Sequence, residues 1–170
     1  ICRSSSIMRL SRALRLDTFL SSENLQSGGC IAFVGAGGKT TAIFQLAREL
    51  VELSSTVHRP RSVIITATSH LGAWQTPLAD QHIVAESPTD IGELPEGITL
   101  VTGPLEGDRA QPVNSTMLSW LHESSKTRDI PLLIEADGAR QRPLKAPAAH
   151  EPPIPDFVGT VIAIAGLSGL

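Results

Sequence analysis

The segment Cys30-Ile31-Ala32-Phe33-Val34 is an unbroken apolar run with a glycine at each end, and a helical stripe follows it almost at once. A strand with one wet face alternates apolar and polar residues. A continuous run instead reads as a strand buried on both faces, the kind found inside parallel sheets. Beyond the glycines, Ile43, Leu46, Ala47, Leu50 and Val51 recur at the spacing of one helix face. Strand, tight glycine loop, helix is the opening of a parallel β–α–β unit, which directs the chain toward an α/β architecture.

Later segments repeat the alternation. Residues 63–68 are rich in β-branched side chains and read as a second strand. Short strands are expected at His82-Ile83-Val84 and Ile98-Thr99-Leu100-Val101, although residues 71–97 are poorly periodic. Asn114 is placed to cap a helix running to about Lys126, with Met117, Leu118 and Leu121 inward. Residues 130–136 form another buried run with Pro131 confined to its start, and 158–165 form a last one. Leu10, Ala13, Leu14 and Phe19 give a modest helical stripe near the N-terminus. The expected organisation is an N-terminal helical extension over 1–29 and one domain over 30–170, a mostly parallel sheet flanked by helices. The chain starts at Ile1 rather than methionine and stops at Leu170 just after an apolar run, so it reads as a C-terminally truncated piece of a longer protein.

Composition narrows the setting. A formal charge of −3 argues against a broad nucleic-acid or anionic-membrane surface. No apolar stretch approaches the roughly 20 residues that span a bilayer. Cys2 and Cys30 have neither metal nor redox spacing, and reduced thiols in a cytoplasmic protein are the expectation. Arg3, Arg9, Arg12 and Arg15 among serines faintly resemble a transit composition, but an amphipathic helix is the plainer reading.

The loop Gly35-Ala36-Gly37-Gly38-Lys39-Thr40-Thr41 carries the first chemical signal. Phosphate oxygens need donors that approach without side chains in the way, and glycines let backbone N–H groups turn inward. A helix starting near Lys39 adds its unpaired N–H groups and the positive end of its dipole. Lys39 can bring an ammonium to the outer phosphates, and Thr40 can give a hydroxyl to magnesium. In the pattern G-x-x-x-x-G-K-[ST] the first glycine falls on Phe33, so Gly35 and Gly37 would supply the flexibility instead. The dinucleotide fingerprint fits worse, since position 40 is not glycine.

The strand end Leu132-Leu133-Ile134-Glu135-Ala136-Asp137-Gly138 is the second signal. Magnesium-nucleotide sites take an acidic partner from the end of a neighbouring apolar strand. Glu135 and Asp137 share one face at period two, so one could hold the metal while the other orients a water. The expectation is Thr40 and Asp137 as magnesium ligands, with Lys39, Glu135 and Asp137 as the catalytic set. Thr66, Thr68, Ser69 and His70 close the second strand, where open α/β sheets place ligands; they could sense a phosphate or position water. Arg140, Arg142, Lys145 and His150, with Glu151 beside it, form a basic stretch that could meet phosphate charge or an anionic second ligand. Neither His70 nor His150 has a companion at zinc-ligand spacing.

These segments resemble the YqeC family, accessory proteins of selenium-dependent molybdenum hydroxylases. The residues that carry the resemblance are the glycine loop, Thr-Ala-Thr-Ser-His at 66–70, Glu-Ala-Asp-Gly-Ala-Arg at 135–140, Pro-Leu-Lys-Ala-Pro at 143–147 and His-Glu-Pro at 150–152. Ala67 stands where that family usually has threonine. The resemblance implies a P-loop type nucleotide site for ATP or GTP with Mg2+. Lys39 and Thr40 would lie in its phosphate loop, and Asp137, Arg140, Lys145, His150 and Glu151 in a second motif. It implies a role in maturing a selenium or molybdenum cofactor, with maturation proteins or a cofactor intermediate as partners. The residues also leave open a nucleotide-gated carrier without turnover, or a kinase acting on a small acceptor.

Overall fold

A computed structural model describes residues 9–14, 16, 29–54, 62–136 and 154–166. Its centre is a six-stranded sheet in which every adjacent pair is parallel. In chain order the elements are α1 (Leu10–Ala13), β1 (Cys30–Ala36), α2 (Lys39–Ser54), β2 (Ser62–Ala67), β3 (Leu71–Gly72), β4 (Gln81–Val84), β5 (Gly97–Thr102), β6 (Leu105–Glu106), β7 (Arg109–Ala110), α3 (Ser115–Arg128), β8 (Leu132–Glu135) and β9 (Thr160–Ala165). Two 3-10 turns, Ala73–Leu78 and Pro88–Asp90, lie between β3 and β5. The large sheet runs β4-β5-β2-β8-β1-β9.

The continuous apolar run folds as its pattern requires. Ile31 and Phe33 pack on the α2 side, with Ile43, Leu46, Ala47 and Leu50. Cys30 and Ala32 pack on the other side, with Met117 and Leu121 of α3. Burial pushes the Cys30 thiol up to about 12, which leaves it a core side chain rather than a nucleophile. Strand β1 and its neighbour β8 are thus covered on both faces, as parallel strands need to be.

Asn114 does cap α3: its side chain accepts from the Met117 N–H at 2.8 Å. Asp129 ends the helix in the left-handed conformation, φ 54°. Residues 10–14 and 16 lie against α2, with Leu16 in the core and Leu10 and Leu14 packed on it. The capping there is long-range. Both carboxylate oxygens of Glu49, on α2, accept from the first N–H groups of α1, Leu10 and Ser11, each at 2.8 Å. Phe19 lies outside the described residues.

A small three-stranded antiparallel sheet, β3-β7-β6, was not foreseen in the sequence. It is seated on the α2-side core by Leu71 and Ala110. Among the described residues no helix is long and apolar enough to cross a membrane.

Candidate functional site

Connections leave β1 and β8, which are neighbours, in opposite directions. The chain passes from β1 through α2 to β2 on one side, and from β8 to β9 on the other. Such a switch point opens a crevice at the carboxyl ends of the strands, where open α/β sheets place their ligands. The glycine loop and Glu135 both lie at this position.

The loop owes its shape to three glycines at positive φ: Gly35 at 94°, Gly37 at 77° and Gly38 at 99°. Gly35 still belongs to β1 and pairs in register with Ile164 of β9. The two strands approach so closely there that a Cβ on Gly35 would sit 2.2 Å from the Ile164 carbonyl oxygen. Ala36 is buried, and its carbonyl accepts from Gly166 N–H at 2.9 Å. Gly37 and Gly38 are exposed, so the crest of the loop is bare backbone. Helix α2 then starts at Lys39, its first intrahelical bond running from Ala42 N–H to the Gly38 carbonyl at 2.9 Å. No acidic residue lies in its first turn. The positive end of the dipole and the first N–H groups therefore face the crevice without a carboxylate from their own helix.

Lys39 is only 4% exposed, and its Nζ donates to the Gly35 carbonyl, folded back across the loop. Thr40 Oγ1 donates to Oε2 of Glu135 at 3.1 Å. This contact follows from the pleat. Leu133 packs on the α2 side and Ile134 on the α3 side, so Glu135 comes back to the α2 side, beside the helix that carries Thr40. Glu135 is buried between β1 and β2, in register with Phe33 and Ala67. A threonine hydroxyl and a carboxylate in contact are hard oxygen ligands, the kind magnesium takes. Among the described residues no group of three or more His, Cys, Asp or Glu could itself hold a metal.

Other expected residues are distributed less evenly. Thr68 joins the cluster through its backbone, its N–H donating to the Glu135 carbonyl at 3.0 Å. Thr66 does not: its hydroxyl is buried and donates to the Val101 carbonyl at 2.9 Å, so it serves the sheet rather than a ligand. His70 and Thr41 are exposed, while the Ser69 hydroxyl is buried with no hydrogen-bond partner among the described residues. Asp137, Arg140, Arg142, Lys145, His150 and Glu151 lie outside the described residues.

One member of the cluster carries no sequence signal. Gln75, on the Ala73–Leu78 turn, donates from Nε2 to Thr40 Oγ1 at 2.9 Å. Its own oxygen accepts from Gly72 N–H at 2.9 Å. Only the proximity of the small sheet to α2 brings it there, and neither periodicity nor spacing encodes that proximity.

Comparison with known proteins adds a family. The family model described as "YqeC protein" matches residues 31–170. The chain is 32% identical over 151 residues to "Uncharacterized protein YqeC" of Escherichia coli (strain K12), a match covering 80% of this chain and 51% of that protein. The chain therefore spans about half the length of the curated relative it matches. No solved structure matches it.

Proposed function

The chain belongs to the YqeC family, and from that premise we propose that it binds a magnesium nucleoside triphosphate, ATP or GTP, at the crevice between β1 and β8. The observation that carries this reading is the Thr40–Glu135 hydrogen bond beneath a helix N-terminus opened by three left-handed glycines. In this reading the exposed backbone of Gly37 and Gly38 and the start of α2 receive the phosphates. Lys39 leaves the Gly35 carbonyl for the outer phosphates, a stronger, charge-assisted acceptor. Thr40 and Glu135 hold the magnesium, directly or through water, with Asp137 as the further acid beyond the strand.

We further propose that the nucleotide is hydrolysed, and that the energy released drives a step in maturing a selenium or molybdenum hydroxylase cofactor. The segment that carries Arg140, Lys145, His150 and Glu151 would meet the cofactor intermediate or its carrier. Release of phosphate from ATP and GTP, compared between wild type and Lys39→Ala, tests the turnover. A loss of about a hundredfold or more is expected, since the lysine would serve charge developing in the transition state. Equal rates in the two proteins would overturn hydrolysis at this site.

A further inference from the structure

The Ala73–Leu78 turn reaches the crevice through one side chain. Gln75 accepts from Gly72 N–H with Oε1 and donates to Thr40 Oγ1 with Nε2. The two ends of an amide are distinguished by their partners, and here the partners leave no choice. Gly72 N–H requires an acceptor, so the oxygen faces Gly72 and the NH2 faces Thr40. Turning the amide over would set a donor against a donor. Gln75 therefore presents a fixed N–H donor to the Thr40–Glu135 pair.

That donor is well placed only while no cation is present. Thr40 Oγ1 has one hydrogen, which goes to Glu135, and two lone pairs, one of them taken by Gln75. A divalent ion on the remaining lone pair would lie a few ångströms from the Gln75 N–H dipole, with its positive end facing the ion. The amide cannot answer by flipping without abandoning Gly72. It needs an acceptor close by, and phosphate oxygens bound to the same ion are acceptors that carry charge.

We propose that Gln75 reads the outermost phosphate of a bound magnesium nucleoside triphosphate. It rests on Thr40 in the free protein and moves its N–H to an oxygen of the third, γ phosphate when the nucleotide arrives. A diphosphate ends at its β phosphate and has no γ oxygen, so Gln75 sets preference for triphosphate over diphosphate. This inference depends on the phosphate-binding reading above. The neighbouring residue makes it measurable. Trp74 is 69% exposed and its indole lies over Gly72, where a Cβ would meet Nε1 at 2.4 Å. Movement of Gln75, which holds Gly72 N–H, changes the surroundings of that ring.

The chain has two tryptophans, Trp74 and Trp120, so Trp120→Phe leaves Trp74 as the single indole reporter. Magnesium with non-hydrolysable ATP and GTP analogues, and with ADP and GDP, would be titrated by calorimetry and by indole emission. The triphosphate analogue of the preferred base is expected to shift Trp74 emission, and its diphosphate to leave it unchanged. Gln75→Glu keeps an acceptor for Gly72 N–H but replaces the donor with a charge that repels phosphate. It is expected to weaken the triphosphate about tenfold or more, as loss of a hydrogen bond to a charged group does, and to weaken the diphosphate less. Gln75→Ala should lose the same preference without added repulsion. Wild-type triphosphate affinity in both variants, with the same Trp74 response to di- and triphosphate, overturns this role and leaves the phosphate site standing. Binding of neither nucleotide to the wild type overturns both.

Discussion

Gly35 and Gly38 have nearly the same backbone angle, φ 94° and 99°, but different surroundings. A methyl group on Gly35 would meet the Ile164 carbonyl oxygen at 2.2 Å, whereas one on Gly38 would have nothing within 4 Å among the described residues. Gly35→Ala must therefore part β1 from β9 as well as strain the loop, and is expected to cost on the order of 3 kcal/mol or more. Gly38→Ala pays only the left-handed conformation, about 1–2 kcal/mol. Urea unfolding of the two variants checks this, and equal losses would contradict the close strand contact as the reason for Gly35. The same scale shows what a sequence can and cannot carry. Lys39 and Thr40 were legible because Gly-Lys-Thr between a buried strand and a helix has a chemical meaning in itself. Glu135 was legible as a strand-end acid, but its contact with Thr40 depends on which face of β8 looks toward α2.

Helices α1 and α3 begin with capping contacts of different range. Asn114 accepts from Met117 N–H and donates to the Glu86 carbonyl at 2.8 Å, so it closes α3 and ties it to the segment after β4. Asn114→Ala is expected to cost about 1–2 kcal/mol, measured by chemical unfolding; a change within a few tenths would show that water replaces both bonds. Glu49 caps α1 from across the helix pair. Burial opposes its ionisation, but N–H groups of Ser11 and Leu10 and the Gln45 amide together hold the carboxyl below its ordinary value of 4.5. A lowered pKa means the folded state favours the carboxylate. Its contribution is then fully present above the ordinary value and is lost as pH falls through the lowered one. Thermal melts should show wild type more stable than Glu49→Gln at about pH 6, with the gap narrowing as the pH is taken below the ordinary carboxyl value of 4.5. A constant gap would contradict a charge-dependent cap. Asn114 could be recognised from its neighbours alone; Glu49 could not, because its partners lie far away in sequence. The two-residue strands β3, β6 and β7 were likewise hidden, since a segment that short has no period to read.

For the whole molecule, the parallel α/β architecture was legible because buried strands and amphipathic helices alternate over much of the chain. Strand order was not. Apolar runs state that strands are buried, but only the folded chain shows that β8 inserts between β1 and β2, which creates the switch point. That insertion turns two separate signals, a glycine loop and a distant acidic strand end, into one crevice. Ligand binding to the native state raises its stability by RT ln(1 + [L]/Kd), about 2.7 kcal/mol at a hundredfold excess over Kd. For a protein of this size that corresponds to a rise in Tm of roughly 5–10 °C. The most direct measurement is a thermal-shift titration of wild type and Glu135→Gln with ATP and GTP, each with magnesium and with chelator. Wild type is expected to gain this shift with one nucleotide in magnesium and to lose most of it in chelator, while Glu135→Gln gives the same small shift in both. No shift with either nucleotide, or a wild-type shift indifferent to magnesium, would contradict a magnesium-nucleotide site built on Thr40 and Glu135.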